Sequence, residues 1–135
     1  MTDDKRETFL RQANVAVLGT VDARGRPHGA PAWYLYDDGI FRINTDRGSQ
    51  KHRNIERNPN ISLVIDRPAM PYYAVMIQGT AEIGPPFSDA DNLSLSVRYL
   101  GEELGKRYAK RSGQPETISL TIRPRKIAIF DPMGG

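Results

Sequence analysis

The sequence predicts a mainly β protein, a small antiparallel β-barrel with helices on its outside. Three observations lead there. Apolar residues fall in short runs, several with a two-residue period; dense turn signals separate those runs; and only two segments after the N-terminus have helical character. A two-residue period is what a half-buried strand requires, because successive side chains point to opposite faces of a sheet.

The elements follow in order. MTDDKRETFLRQ is charged and reads as a surface helix, and residues 15–21 (VAVLGTV) form a strand that runs into the turn Asp22-Ala23-Arg24-Gly25-Arg26-Pro27. His28 to Tyr36 is aromatic-rich and contains Pro31, which cannot donate to a ladder, so this strand belongs at an edge or bulge. Asp37-Asp38-Gly39 then turns the chain into a strand over residues 40–45. Gly48 to Asn58 is a short helix with Ser49 as N-cap and Asn58-Pro59 as its stop. Strands follow over 60–66 and 72–83. On the second, Val75, Ile77, Ala81 and Ile83 share the core face, and Met76, Gln78, Thr80 and Glu82 share the other. Ser88-Asp89-Ala90-Asp91 caps a long helix presenting Leu93, Val97, Leu100 and Leu104 toward Tyr108, weakened by Gly101 and Gly105. Residues 117–122 and 127–130 make a last strand, kinked at Arg123-Pro124. There is no repeat and no interdomain linker, so residues 1–135 are expected to form one domain.

Composition narrows the chemistry. With 135 residues, 39% hydrophobic, the chain is long enough to bury a core without staples. It has no cysteine, which excludes thiol catalysis, cysteine-based zinc sites and iron–sulfur clusters. Runs such as Ile61–Ile65 fall far short of the ~20 residues of a membrane helix. A charged N-terminus does not suit a signal peptide. A cytoplasmic enzyme with no membrane partner is the expectation. The net charge of +3 is too small to dictate a polyanion partner. Its placement matters more. Arg42, Arg47, Lys51, Arg53 and Arg57 face only Asp46 and Glu56, and a second basic cluster spans Arg98 to Arg111.

The strongest constellation is Asn44-Thr45-Asp46-Arg47-Gly48-Ser49-Gln50-Lys51, a strand end passing through Gly48 into a helix start. Unpaired amides and the positive dipole end at a helix N-terminus attract phosphate or carboxylate. Thr45 and Ser49 add hydroxyl donors, and Arg47 and Lys51 add charge. Lys51 and Arg53 are unfavourable at the positive end of a dipole unless an anion offsets them. A solvated, Ser-capped helix is the bland alternative. His28 and His52 have no metal-ligand spacing, so no metal site is expected. The serines lack a GxSxG setting, and Asp37-Asp38 and Glu102-Glu103 read as solvated charge. Trp33 and Tyr34 face opposite ways in an extended chain, so one must leave the core or line a pocket. A pocket abutting the anion site would suit a planar ring system with a phosphate tail.

The string GRPHGAPAWYLYDDGIFRINTDRGSQKHRNIERNPNISLVID, followed by YAVMIQGTAEI, resembles the FMN-binding split-barrel, pyridoxamine 5′-phosphate oxidase-like superfamily. The resemblance runs from about Asn14 to Phe130 and is nearest to the subgroup that uses the 8-hydroxy-5-deazaflavin coenzyme F-420. Its most specific parts are the AWY strand and T-x-R-G-S-x-K-x-R-N-I-x-x-N-P. FMN-binding relatives carry an Arg and a Lys where this chain has Gly29 and Tyr34. They carry an aromatic-Thr pair at Asn44 and Thr45, an Arg-Lys phosphate pair at Gln50 and Lys51, and a ring-contacting Gln at Ala74. Only the Thr and the second Lys remain, which argues against a true pyridoxamine phosphate oxidase. By resemblance to the deazaflavin subgroup, Ala32 and Trp33 lie near the ring system, and Ser49, Gln50, Lys51 and Arg53 grip the phosphate and its tail, with Arg47 beside them.

The resemblance thus implies an F-420-dependent oxidoreductase that moves hydride between the deazaflavin and a small organic acceptor with a polarised double bond. A homodimer holds the cofactor between subunits in that family. No catalytic residue is assigned; Tyr34 or a bound water is a candidate proton donor. Three alternatives are an FMN-dependent flavin reductase or oxidase-like flavoprotein, a carrier of the cofactor or of haem or a bilin, and a single-strand nucleic-acid barrel suggested by the pI near 9.3. The last is disfavoured, because the basic residues sit on predicted helices rather than among the strand aromatics.

Overall fold

The computed structural model describes residues 1–110 and 116–134. In chain order the elements are α1 (Asp3–Leu10), β1 (Ala16–Val21), β2 (Pro27–Ala32), β3 (Leu35–Asp37), β4 (Ile40–Asp46), α2 (Gln50–Arg57), β5 (Asn60–Arg67), β6 (Tyr73–Gly84), α3 (Asp89–Leu100), α4 (Glu102–Ala109) and β7 (Thr117–Phe130). The seven strands form one sheet in the order β2-β1-β5-β6-β7-β4-β3, with every pairing antiparallel. Its two edge strands, β2 and β3, are consecutive in sequence and joined only by Trp33-Tyr34. A sheet whose two edges are tethered by two residues must curl on itself, and the result is an antiparallel β half-barrel with an open seam between β2 and β3.

Local chemistry explains the turns. Asp38 and Gly39 adopt φ of 50° and 80°, the two left-handed positions of a two-residue hairpin loop, and bring β3 back along β4. The kink expected at Arg123-Pro124 is a bulge within one long strand. Gln78 pairs with Lys126 and Gly79 with Pro124, so Arg125 is the extra residue. Gly79 is required there, since a Cβ would lie 2.4 Å from the Arg123 carbonyl oxygen.

The core lies inside the curl, where Leu18, Tyr34, Phe41, Ile43, Leu63, Val75, Ile77, Leu120 and Ile122 are buried. Each such aliphatic side chain contributes about 1.5–3 kcal/mol through removal from water. Three expectations need correction. The single strand expected over His28 to Tyr36 is broken at Trp33-Tyr34 into β2 and β3, which lie at opposite edges of the sheet. The N-terminal helix is more than a surface helix, because Phe9 and Leu10 are 1% exposed and plug one end of the core. The long helix after Ser88 is two helices, broken at Gly101 with φ 83°. Its expected core residues Leu93 and Leu104 are exposed, whereas Ser96 and Gly105 are buried. Small residues face inward because α3 and α4 cross closely: a Cβ on Gly105 would fall 2.6 Å from the Val97 Cα. Among the described residues, no helix is long and apolar enough to cross a membrane.

Candidate functional site

The site begins where β4 hands over to α2. Gly48, at φ 80°, turns the chain, and its N–H donates to His52 Nδ1 at 2.9 Å. Ser49 is the N-cap, its Oγ accepting from the His52 N–H at 3.4 Å, while its own N–H reaches the Asp46 carbonyl. Two of the orphan N–H groups at this end are thereby consumed. Those of Gln50 and Lys51 have no acceptor among the described residues. No acidic side chain occupies the first turn, so within α2 itself nothing offsets its positive end.

This end opens into a cavity of about 540 Å³. One part of its wall is polar, with Asn44, Thr45, Asp46 and Lys51 from β4 and α2. Asn44 Oδ1 accepts from the Phe87 N–H at 3.2 Å, which leaves its NH2 group free to donate. The other part is apolar and aromatic, with Val15, Trp33, Leu95 and Tyr108. The α3–α4 hairpin supplies the outer wall and is fastened twice. Arg42 makes two hydrogen bonds to Asp91, the shorter 2.7 Å, and holds its carboxyl below the usual carboxylate range. Arg98 donates to the carbonyls of Arg11 and Gln12 at the end of α1.

The cavity brings together five of the nine residues singled out in the sequence: Ala32, Trp33, Asn44, Thr45 and Lys51. Ser49 caps α2 rather than lining the cavity. The other three have partners elsewhere. Arg47 pairs with Glu116 at 3.3 Å on the surface. Gln50 donates to Asn54 Oδ1 at 2.7 Å and accepts from Arg53 at 2.8 Å, and Asn54 in turn donates to Thr20. That chain of amides anchors α2 to β1. Trp33 and Tyr34 divide as their alternation requires, Trp33 to the cavity and Tyr34 to the core. Tyr34 is therefore no proton donor: its hydroxyl donates to the Leu10 carbonyl at 2.9 Å, and burial pushes its pKa up to about 12.

Sequence reasoning missed the wall built by Asn92, Ser96 and Tyr108. The signal was present in the small residues Ser96 and Gly105, which mark the inward face of a close helix crossing. The hydrophobic periodicity pointed to the opposite face. Among the described residues no His, Cys or Met lines the cavity. Among the described residues no three His, Cys, Asp or Glu side chains gather to hold a metal.

A curled antiparallel sheet of seven strands with helices packed outside it defines a fold class, and sequence comparison gives the same one. Residues 2–130 match the pyridoxamine 5′-phosphate oxidase family, and the chain belongs to it. It is 37% identical over 79 residues, 57% of its length, to a pyridoxine/pyridoxamine 5′-phosphate oxidase of Anaplasma phagocytophilum. The match spans only 37% of that longer relative. Among solved structures, one described as an F-420 reductase superposes with a TM-score of 0.76 at 26% identity, over 90% of this chain and 94% of that one. HutZ, the haem storage protein of Vibrio cholerae, shares the fold with a TM-score of 0.70 at 17% identity, over 96% of this chain and 93% of that one. The chain is thus a split-barrel protein of a flavin and deazaflavin oxidoreductase superfamily.

Proposed function

We propose that this protein is a cytoplasmic oxidoreductase that uses the deazaflavin coenzyme F-420 to reduce, or oxidise, a small organic molecule at a polarised double bond. The observation behind this reading is the cavity's two-part character. An aromatic wall of Trp33 and Tyr108, the two rings inclined at 51°, and an anion-accepting end at Lys51 lie in one space whose volume suits a planar ring system with a phosphate tail. The residues fit such a group. The Gln50 and Lys51 N–H groups and the Lys51 ammonium would hold a phosphate, the Asn44 amide and Thr45 hydroxyl would donate to polar atoms next to it, and Ala32 leaves room for the ring beside Trp33. When bound, the deazaflavin supplies the hydride chemistry, and the protein's part is to hold it and keep water from one face.

FMN is the nearest rival cofactor. Against it stands Gln50, at the position where FMN-binding relatives carry the phosphate Arg; its side chain is tied to Asn54 and Arg53, so among the described residues Lys51 is the one basic side chain lining the phosphate end, with Asp46 beside it. A haem carrier is less favoured still, because among the described residues the cavity lining offers no His, Cys or Met and only Tyr108 of the usual haem-ligating types.

The reading includes a homodimer. Val17, Val64 and Met76 lie opposite one another across β1, β5 and β6, with Ala128 of β7 next in the row, on the outer face of the sheet. They are 46%, 37% and 36% exposed. Across β1 the row continues to Pro31, a cavity-lining residue, so a second copy docked on this stripe would close the cavity mouth. The test is anaerobic mixing of the protein with reduced F-420 and a panel of enones and quinones, following return of the oxidised cofactor's absorbance. Turnover dependent on protein is expected. Binding of F-420 without turnover across the panel would convert the reading to a carrier.

A further inference from the structure

We propose that Tyr99 is a positioning residue for the cavity's ring-binding wall: it fixes the Trp33 indole by stacking its ring on it. This rests on the reading that a planar ring system occupies the cavity. Trp33 lies in the two-residue crossover between β2 and β3, where no strand partner orders the backbone. Left alone, an indole on such a crossover would sample several rotamers. Tyr99, on α3, prevents this. Its ring lies 4.6 Å from the indole, centroid to centroid, at an interplanar angle of only 3°. Its hydroxyl is fixed in turn, donating to the Asn14 carbonyl at 2.6 Å and accepting from the Tyr34 N–H at 3.1 Å. Those are backbone groups at the seam that the sheet leaves unpaired, so one side chain both satisfies the seam and aligns the platform. The neighbouring Arg98 adds its guanidinium 5.7 Å from the Tyr99 ring and ties α3 to the end of α1. The consequence is a preformed flat wall, so a ring binding against Trp33 need not pay to order it.

Trp33 is the only tryptophan, so its near-ultraviolet circular dichroism and emission report its setting directly. The experiment compares wild type, Tyr99→Phe and Tyr99→Leu by those signals without ligand, and by titration with F-420 and with FMN. Tyr99→Phe keeps the ring, so the Trp33 signals persist and affinity stays within about threefold. Tyr99→Leu removes the stack. The dichroic band of Trp33 collapses, and affinity for whichever cofactor binds falls about tenfold, with the sheet's far-ultraviolet signal retained. Unchanged Trp33 signals in Tyr99→Leu would overturn the proposal. So would a loss in Tyr99→Phe as large as that in Tyr99→Leu, because the hydroxyl rather than the stack would then matter. If Tyr99→Leu fails to fold, a tenfold loss or a lost Trp33 band in Tyr99→Phe still overturns it. If wild type binds neither cofactor, the functional reading fails, while the ligand-free Trp33 signals still decide whether Tyr99 positions the indole.

Discussion

Lys51 contributes a charge without an ion-pair partner among the described residues, next to two backbone N–H groups that lack acceptors. Like charge at the positive end of a helix is a local cost, and it becomes an asset only when an anion arrives. Lys51→Ala is therefore expected to weaken cofactor binding about tenfold or more, from the ~1.5–3 kcal/mol of a charge-assisted contact, with the melting temperature unchanged or raised. Titration beside a thermal melt checks both. Tyr34 belongs to stability instead. Its folded pKa of about 12 stands above the ordinary tyrosine value of 10.0, so the fold favours the neutral phenol. That contribution is complete below pH 10 and is lost as pH rises from 10 toward 12, where the unfolded chain ionises first. Tyr34→Phe should flatten this alkaline limb in denaturant titrations across pH, while costing about 1 kcal/mol at neutral pH because the Leu10 carbonyl loses its shorter hydrogen bond and keeps only the Arg98 guanidinium at 3.4 Å.

At the scale of elements, the α3–α4 hairpin decides whether the cavity has an outer wall. Its crossing depends on Gly105, where a side chain would collide with the Val97 backbone. Gly105→Ala must push α4 outward. Cofactor affinity is expected to fall several-fold and stability by about 1–3 kcal/mol, as for other overpacked contacts; calorimetric binding and melting measure the two. This hairpin is also where the sequence was least legible. Leu93, Val97, Leu100 and Leu104 have helical spacing, yet Leu93 and Leu104 face outward and the inward face is made of Ser96 and Gly105. Hydrophobic periodicity fails where close backbone approach, rather than apolar burial, sets the orientation of a helix. The strands were far more legible. On β6 the alternation of Val75, Ile77, Ala81 and Ile83 against Met76, Gln78, Thr80 and Glu82 is the observed division of faces, because an antiparallel strand with one dry side leaves sequence little freedom. Ser49 as N-cap of α2 was legible for a similarly local reason. The partners of Arg47, Gln50 and Arg53 were not, since a basic side chain near a helix start looks the same in sequence whether it meets a ligand, Glu116 or a neighbouring amide.

For the whole molecule, the curl of the sheet unites the parts. It brings the end of β2, the end of β4 and the start of α2 to one cavity, and it leaves an apolar row across β1, β5 and β6 on the outside. A charge at the centre of that row should prevent a second copy from docking without disturbing the core. Val64→Asp is expected to sediment as a monomer, with a melting curve close to that of the wild-type fold but weaker cofactor binding. A dimer that survives the change would put the interface elsewhere. The central claim concerns the cavity's occupant, and the most direct test is parallel equilibrium titration of the wild-type protein with F-420 and with FMN, followed through Trp33 emission. The account predicts saturable quenching by F-420 at micromolar concentration and markedly weaker binding of FMN; tight binding of FMN with none of F-420 would contradict it.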